Sequence, residues 1–154
     1  MITITRKIEF DAGHRVLGHE GKCANLHGHR YVAEITVSAL GLDPLGRVVD
    51  FSVVKELIGG WVDQHWDHNI ILNDNDPLLA CQGNDQPIQG EPLVLAEDVF
   101  GVKDPYVIAG NNPTAEVMAE ILFLKARSLL VETGLNVDRV RLYETPNCWA
   151  EYKG

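Results

Sequence analysis

Two histidines separated by one residue, His27-Gly28-His29, constrain this chain more than any other feature. On a β-strand, residues two apart project from one face, which sets these imidazoles roughly 7 Å apart, a separation suited to two ligands of one metal ion. The intervening Gly28 then faces the other side and admits another backbone or a ligand. A third imidazole, His14, follows a strand-like run in Phe10-Asp11-Ala12-Gly13-His14, and a hairpin would bring it beside the pair. His19 competes for that third place, but Gly18, Glu20 and Gly21 around it read as a loop, so His14 is preferred. Three imidazoles on one zinc ion leave a position open to water or a substrate oxygen, whereas structural zinc is usually closed by four ligands. Cys23 adds a thiol close by. The ordinary alternative is a set of hydrogen-bonded core or surface histidines.

The same hydrophobic patterning organises the rest of the chain. Alternating and β-branched residues predict strands at 3–10 and 31–40, then turn chemistry through Gly41 to Gly46 and a short return strand at 47–49. Asp50 is suited to cap a helix whose apolar residues Val53, Val54, Leu57, Ile58, Trp61 and Val62 recur at three and four; Gly59 and Gly60 weaken it. A second helix is expected from Asn112-Pro113-Thr114, with Pro113 at the first helical position, an apolar face of Val117, Met118, Ile121, Leu122, Leu129 and Leu130, and Gly134 as its stop. Strands at 137–144 and 148–152 close the chain around the turn Thr145-Pro146-Asn147. The order ββααββ predicts an α+β fold, one four-stranded antiparallel sheet with two helices packed on one face. A single domain over 1–154 is expected, with an inserted excursion at about 73–111, too long for an ordinary connection. Pro92-Leu93-Val94-Leu95 and Tyr106-Val107-Ile108 give it packing residues, so short strands or a helical turn are expected there. A lid, a subunit contact and a surface loop all fit.

Charge narrows the function. Thirteen Lys and Arg against 22 Asp and Glu give a net charge of -9, which argues against nucleic-acid and anionic-membrane partners. The N-terminal residues lack the order of a signal peptide, and no apolar run is long enough to span a bilayer, so a soluble, cytoplasmic protein is expected. Three cysteines do not make a disulfide framework and suit a reducing compartment. Cys148 is expected to be buried in a strand and Cys81 to lie in a loop.

Further polar groups have both a chemical and an ordinary reading. Asp67 and His68, at a helix end, can join a proton relay around a thiol, or His68 can cap helix carbonyls. Glu144, where a strand enters a turn, can accept paired hydrogen bonds from a guanidine-like ring edge such as that of a pterin, or be solvated. Glu116 suits a helix N-terminus. Arg15, Lys22 and Arg30 surround the metal motif and are candidates for phosphate, or plain surface cations.

Taken in order, Phe10-Asp11-Ala12-Gly13-His14, Cys23-x-x-x-His27-Gly28-His29, Val49-Asp50-Phe51, Trp66-Asp67-His68, Pro113-Thr114-Ala115-Glu116 and Glu144-Thr145 resemble the 6-pyruvoyl-tetrahydropterin synthase and 6-carboxytetrahydropterin synthase family, which has the tunnelling fold. The resemblance covers nearly all of the chain outside the excursion. It implies zinc on His14, His27 and His29, Cys23 as catalytic base, and Asp67 with His68 as its relay. It also implies Glu144 as pterin anchor, and Thr114 with Glu116 as a second pterin-binding segment that a neighbouring subunit commonly supplies. Trimers pairing into hexamers are the implied assembly. The interval between Cys23 and His27 resembles the bacterial carboxytetrahydropterin enzymes, whereas the pyruvoyl-forming enzyme has a longer one. The implied reaction is conversion of 7,8-dihydroneopterin triphosphate to 6-carboxy-5,6,7,8-tetrahydropterin with loss of acetaldehyde and triphosphate, as in queuosine precursor synthesis. The pyruvoyl activity and a non-catalytic pterin-binding module are the alternatives.

Overall fold

The computed structural model describes residues 2–79 and 104–154. Its centre is a long antiparallel hairpin, β1 (Thr3–His14) against β2 (His27–Ser38), in register from Thr3 opposite Ser38 to His14 opposite His27. Alternation along both strands sends Ile8, Phe10, Ala12, Tyr31, Ala33, Ile35 and Val37 to one face, where all are buried. Each fully buried Ile, Val or Phe side chain there contributes roughly 1.5–3 kcal/mol. Lys7, Glu9, Asp11, Arg30 and Glu34 take the other face, and Lys7 pairs with Glu34 at 3.0 Å.

The connection after β2 forms no return strand at 47–49. Asp43 organises it instead, accepting the backbone N–H groups of Leu45 and Arg47 at 2.9 Å each and pairing with the Arg47 side chain at 2.9 Å. Asp50 then caps α1 by accepting the Ser52 N–H at 2.9 Å. Helix α1 runs as Phe51–Val54, a π-helical turn at Lys55–Gly59, and Gly60–His65. Its fully buried line is Val54, Ile58, Val62 and Trp66, spaced by four throughout. In an ordinary α-helix that spacing drifts by roughly 40° per step; the wider π turn takes up the drift. Leu57, expected inside from a 3.6-residue period, is 37% exposed for the same reason.

Among the described residues the sheet has six strands, not four, and is mixed. Its order is β4-β3-β1-β2-β5-β6, with β3 (Asn69–Asn73) parallel to β1 and β4 (Tyr106–Ile108) parallel to β3. β3, five residues long, lacks alternation and its periodicity carries no signal, whereas β4 falls on Tyr106-Val107-Ile108, one of the runs where a short strand or helical turn is expected. The predicted excursion therefore begins in a strand, makes a 3-10 turn at Pro77–Leu79 and returns through β4. Cys81 and residues 92–95 lie outside the described residues. Helix α2 (Ala115–Leu130) is capped by Thr114, so Pro113 stands just outside it rather than at its first position. Gly134, at φ 71°, ends the 3-10 turn that follows α2. Strands β5 (Asn136–Thr145) and β6 (Cys148–Tyr152) extend the antiparallel side of the sheet. Cys148 is exposed, not buried, because it opens an edge strand. No described helix is long and apolar enough to cross a membrane.

Candidate active site

The hairpin register does what the histidine spacing requires. His14 lies opposite His27, and His29 lies opposite Ala12, so all three imidazoles share the helix-covered face. One ligand nitrogen from each falls within 4.8 Å of the others. On the far face Gly13 meets Gly28, and a Cβ on Gly28 would stand 3.2 Å from the Ala12 carbonyl oxygen, so the hairpin closes tightly beneath the cluster.

The rings are prepared for a cation. His14 Nδ1 hydrogen-bonds the Pro113 carbonyl at 2.6 Å and His27 Nδ1 the Asn25 carbonyl at 2.7 Å. A carbonyl only accepts, so each Nδ1 carries the proton and Nε2 presents a lone pair. His14 Nε2 and His29 Nε2 are buried without a hydrogen-bond partner among the described residues. Burial holds both rings below the ordinary histidine range, against the opposing pull of Glu144, which keeps them neutral. Orphaned, converging, neutral nitrogens with oriented second nitrogens are what a divalent metal needs, and the donor set fits one. His19 does not join them; its Nδ1 accepts the Gly21 N–H at 2.8 Å.

Beside the cluster lies a cavity of about 230 Å³ lined by residues that include Cys23, His19, Thr114, Glu116, Glu144 and Cys148. Cys23 sits on a 3-10 turn, Lys22–Ala24, and is half-buried. Glu144, near the end of β5, places Oε1 3.3 Å from His14 Nε2 and 3.7 Å from His29 Nε2. Tyr31 packs its ring 5.5 Å from that of His29; burial above all, then Glu144 and Cys23, push its phenol up, so it stays protonated. Thr114 and Glu116 thus line the same cavity as Cys23 within one chain.

Asp67 and His68 lie elsewhere. The Asp67 carboxylate accepts the Asp11 N–H at 2.9 Å and pairs with His68 Nδ1 at 2.9 Å, while the His68 N–H donates to the Asp11 carbonyl at 2.7 Å. His68 is the one non-glycine residue with positive φ, 52°, among those described. The left-handed backbone costs energy for such a side chain, and the two bonds to Asp11 hold it there. With Asp11, Gly13, Gly28, His29 and Arg30, His68 lines a depression, and the Asp11 and Arg30 side chains stand on the opposite face of the hairpin from the three imidazoles. One chain does not bring Cys23 and His68 into the same cavity. Of the cations, Arg15 is held by Asp76, with its Nε at 2.7 Å, and Arg30 by Asp11 at 2.7 Å, leaving Lys22 without an ion pair among the described residues. The carbonyls of Pro113 and Asn25, which orient two rings, had no signal in the sequence beyond their nearness to the motifs.

The 6-pyruvoyl tetrahydropterin synthase family profile matches residues 3–154. A Rickettsia bellii protein named 6-carboxy-5,6,7,8-tetrahydropterin synthase is 44% identical, over 98% of this chain and 99% of its own. An Aquifex aeolicus protein of the same name is 31% identical, over 97% and 96%. Among solved structures, an uncharacterised Wolinella succinogenes protein superposes with a TM-score of 0.74 at 24% identity, covering 99% of this chain and 97% of that one. The Caenorhabditis elegans 6-pyruvoyl tetrahydropterin synthase gives 0.63 at 23%, covering 99% and 95%. With the three-histidine cluster and the thiol cavity in one fold, and the match running through nearly every residue, the chain belongs to the 6-pyruvoyl tetrahydropterin synthase family.

Proposed function

We propose that this chain is a zinc-dependent lyase that converts 7,8-dihydroneopterin triphosphate and one water to 6-carboxy-5,6,7,8-tetrahydropterin, acetaldehyde and triphosphate, in a cytoplasmic route to queuosine. The observation that carries the reading is a thiol, Cys23, and a carboxylate, Glu144, on one cavity beside three converging imidazoles. The names of the full-length relatives support the product. His14, His27 and His29 would hold the zinc, which when bound supplies a Lewis acid for the oxygens of the substrate side chain. The Cys23 thiolate takes the carbon-bound proton. Glu144 accepts the paired N–H groups of the pterin edge, and Thr114 and Glu116 complete the ring's polar contacts.

The relay from Cys23 to His68 then runs between subunits. Among the described residues β1 pairs with β3 only over Ala12–His14, which leaves its edge over residues 3–11 open, and β6 ends the sheet on the other side. Antiparallel pairing of β6 with a neighbour's β1 would continue the sheet, setting the Cys148 end of β6 near the neighbour's Asp67 and His68. A closed ring of such contacts gives the trimer, and paired trimers the hexamer.

The test is mass spectrometry of products from zinc-loaded protein and 7,8-dihydroneopterin triphosphate. Carboxytetrahydropterin with acetaldehyde is expected, and Cys23→Ala should slow its formation roughly 10²- to 10⁴-fold while zinc stays bound. A pyruvoyl product would move the chain to the other activity of its family, and bound but unconsumed pterin would make it a binding module.

A further inference from the structure

We infer that Asn112 is a positioning residue that fixes the metal centre and the thiol relative to the start of α2. The inference rests on the metal reading of the three histidines. Asn112 is not a ligand and lies outside the cavity lining, yet its side-chain amide makes both hydrogen bonds of a miniature ladder with Leu17: the Leu17 N–H donates to Oδ1 at 3.0 Å, and Nδ2 donates to the Leu17 carbonyl at 2.9 Å. Only a primary amide offers a donor and an acceptor side by side in peptide-like geometry. A carboxylate would keep the first bond and set a lone pair against the Leu17 carbonyl.

Three parts of the site hang on this clamp. The segment it holds starts at His14, and the next residue after Asn112, Pro113, supplies the carbonyl 2.6 Å from His14 Nδ1. Pro113 precedes the Thr114 cap, so that carbonyl is not drawn into the helix and remains free for the imidazole. On the other side, Val16, adjacent to Leu17, donates its N–H to the Cys23 carbonyl at 2.8 Å, which ties the thiol's turn to the same segment. Thirdly, the Asn112 carbonyl accepts the Thr114 N–H at 2.8 Å, orienting the cap whose neighbours line the cavity. The clamp is a second polar tie between the same two segments, which the bond of the Pro113 carbonyl to the His14 ring joins across 99 residues of sequence.

The test is zinc affinity, measured by competition with a chromophoric chelator, for the wild type, Asn112→Ala, Asn112→Asp and Val140→Ala. Val140 is fully buried on β5, away from the site, and its truncation controls for loss of stability alone. Asn112→Ala should weaken zinc binding about tenfold, the lower end for outer-shell partners of a metal ligand, with Asn112→Asp between it and the wild type and Val140→Ala unmoved. An Asn112→Ala chain that melts lower yet binds zinc as the wild type does would overturn the inference and leave the metal reading intact. A wild-type chain that binds no zinc would overturn both.

Discussion

The two faces of the β1–β2 hairpin carry the molecule's two histidine constellations, and they are built in opposite ways. On the helix-covered face the Nε2 atoms of His14 and His29 are buried and, among the described residues, make no hydrogen bond, with only the Glu144 carboxylate close by. On the other side His68 is exposed, every nearby charge is paired, and the strain is in the backbone at φ 52°. The first set is incomplete without a cation. The second is complete as an object but, among the described residues, has no thiol beside it. The pleat, which sends neighbouring residues to opposite faces, is what keeps them apart.

The sharpest way to break this contrast is to remove a buried imidazole. His14→Ala should leave no bound metal and no turnover, read by metal analysis of the purified protein, because three ligands leave none to spare. Retention of one zinc per chain would mean that the helix-covered face is not the metal centre. Next in size is a mixing experiment between the faces. Inactive Cys23→Ala chains co-assembled with inactive His68→Ala chains should recover activity at about a quarter of the sites under random mixing, since an intact thiol and an intact imidazole then meet across some subunit contacts. Recovery of nothing would place each relay within one chain.

The smallest effect tests the charge pairing of the outward face. Glu151 meets Lys153 at 2.9 Å, Arg141 at 2.7 Å and Arg139 at 3.0 Å, and Lys153 first, then Arg141, hold its carboxyl down at about 2. A depressed folded value adds stability above the ordinary glutamate range and loses it as pH falls through about 2. The group is near the surface, so screening keeps the gain small. Glu151→Gln should lower Tm by roughly 2 °C at neutral pH, with the gap to wild type closing below pH 4 in a thermal melt series. A constant gap down to pH 2 would contradict the pairing.

Residues with strong local signals were legible in the sequence. The β-branched alternation of β1 and β2, the Asp50 cap and the His27-Gly28-His29 spacing each express a backbone period or a turn preference that neighbours in sequence suffice to reveal. What stayed hidden depends on distant partners. β3 and β4 are short and parallel, and their pairing to the sheet has no local signature. Pro113 was readable as a helix start, but its place before the Thr114 cap is set by the contact with His14. The side of the sheet on which His68 falls is decided by hydrogen bonds to Asp11, 57 positions earlier in the numbering, and no pattern within α1 announces it.

The π turn of α1 acts as a phase shifter between two parts of the chain. At its present length but in uniform α geometry, Lys55–Gly59 would leave everything after it rotated by about 80° relative to everything before, because eight residues at roughly 100° each overshoot two turns by that much. Val62 and Trp66 would leave the line begun by Val54 and Ile58, and the Trp66 ring, now 5.8 Å from Phe10, would be turned off the sheet. Asp67 and His68 follow directly, so their grip on Asp11 would be lost without any change to their own sequence. In this chain the winding of a single helical turn is part of the address of a side chain on the far side of the sheet.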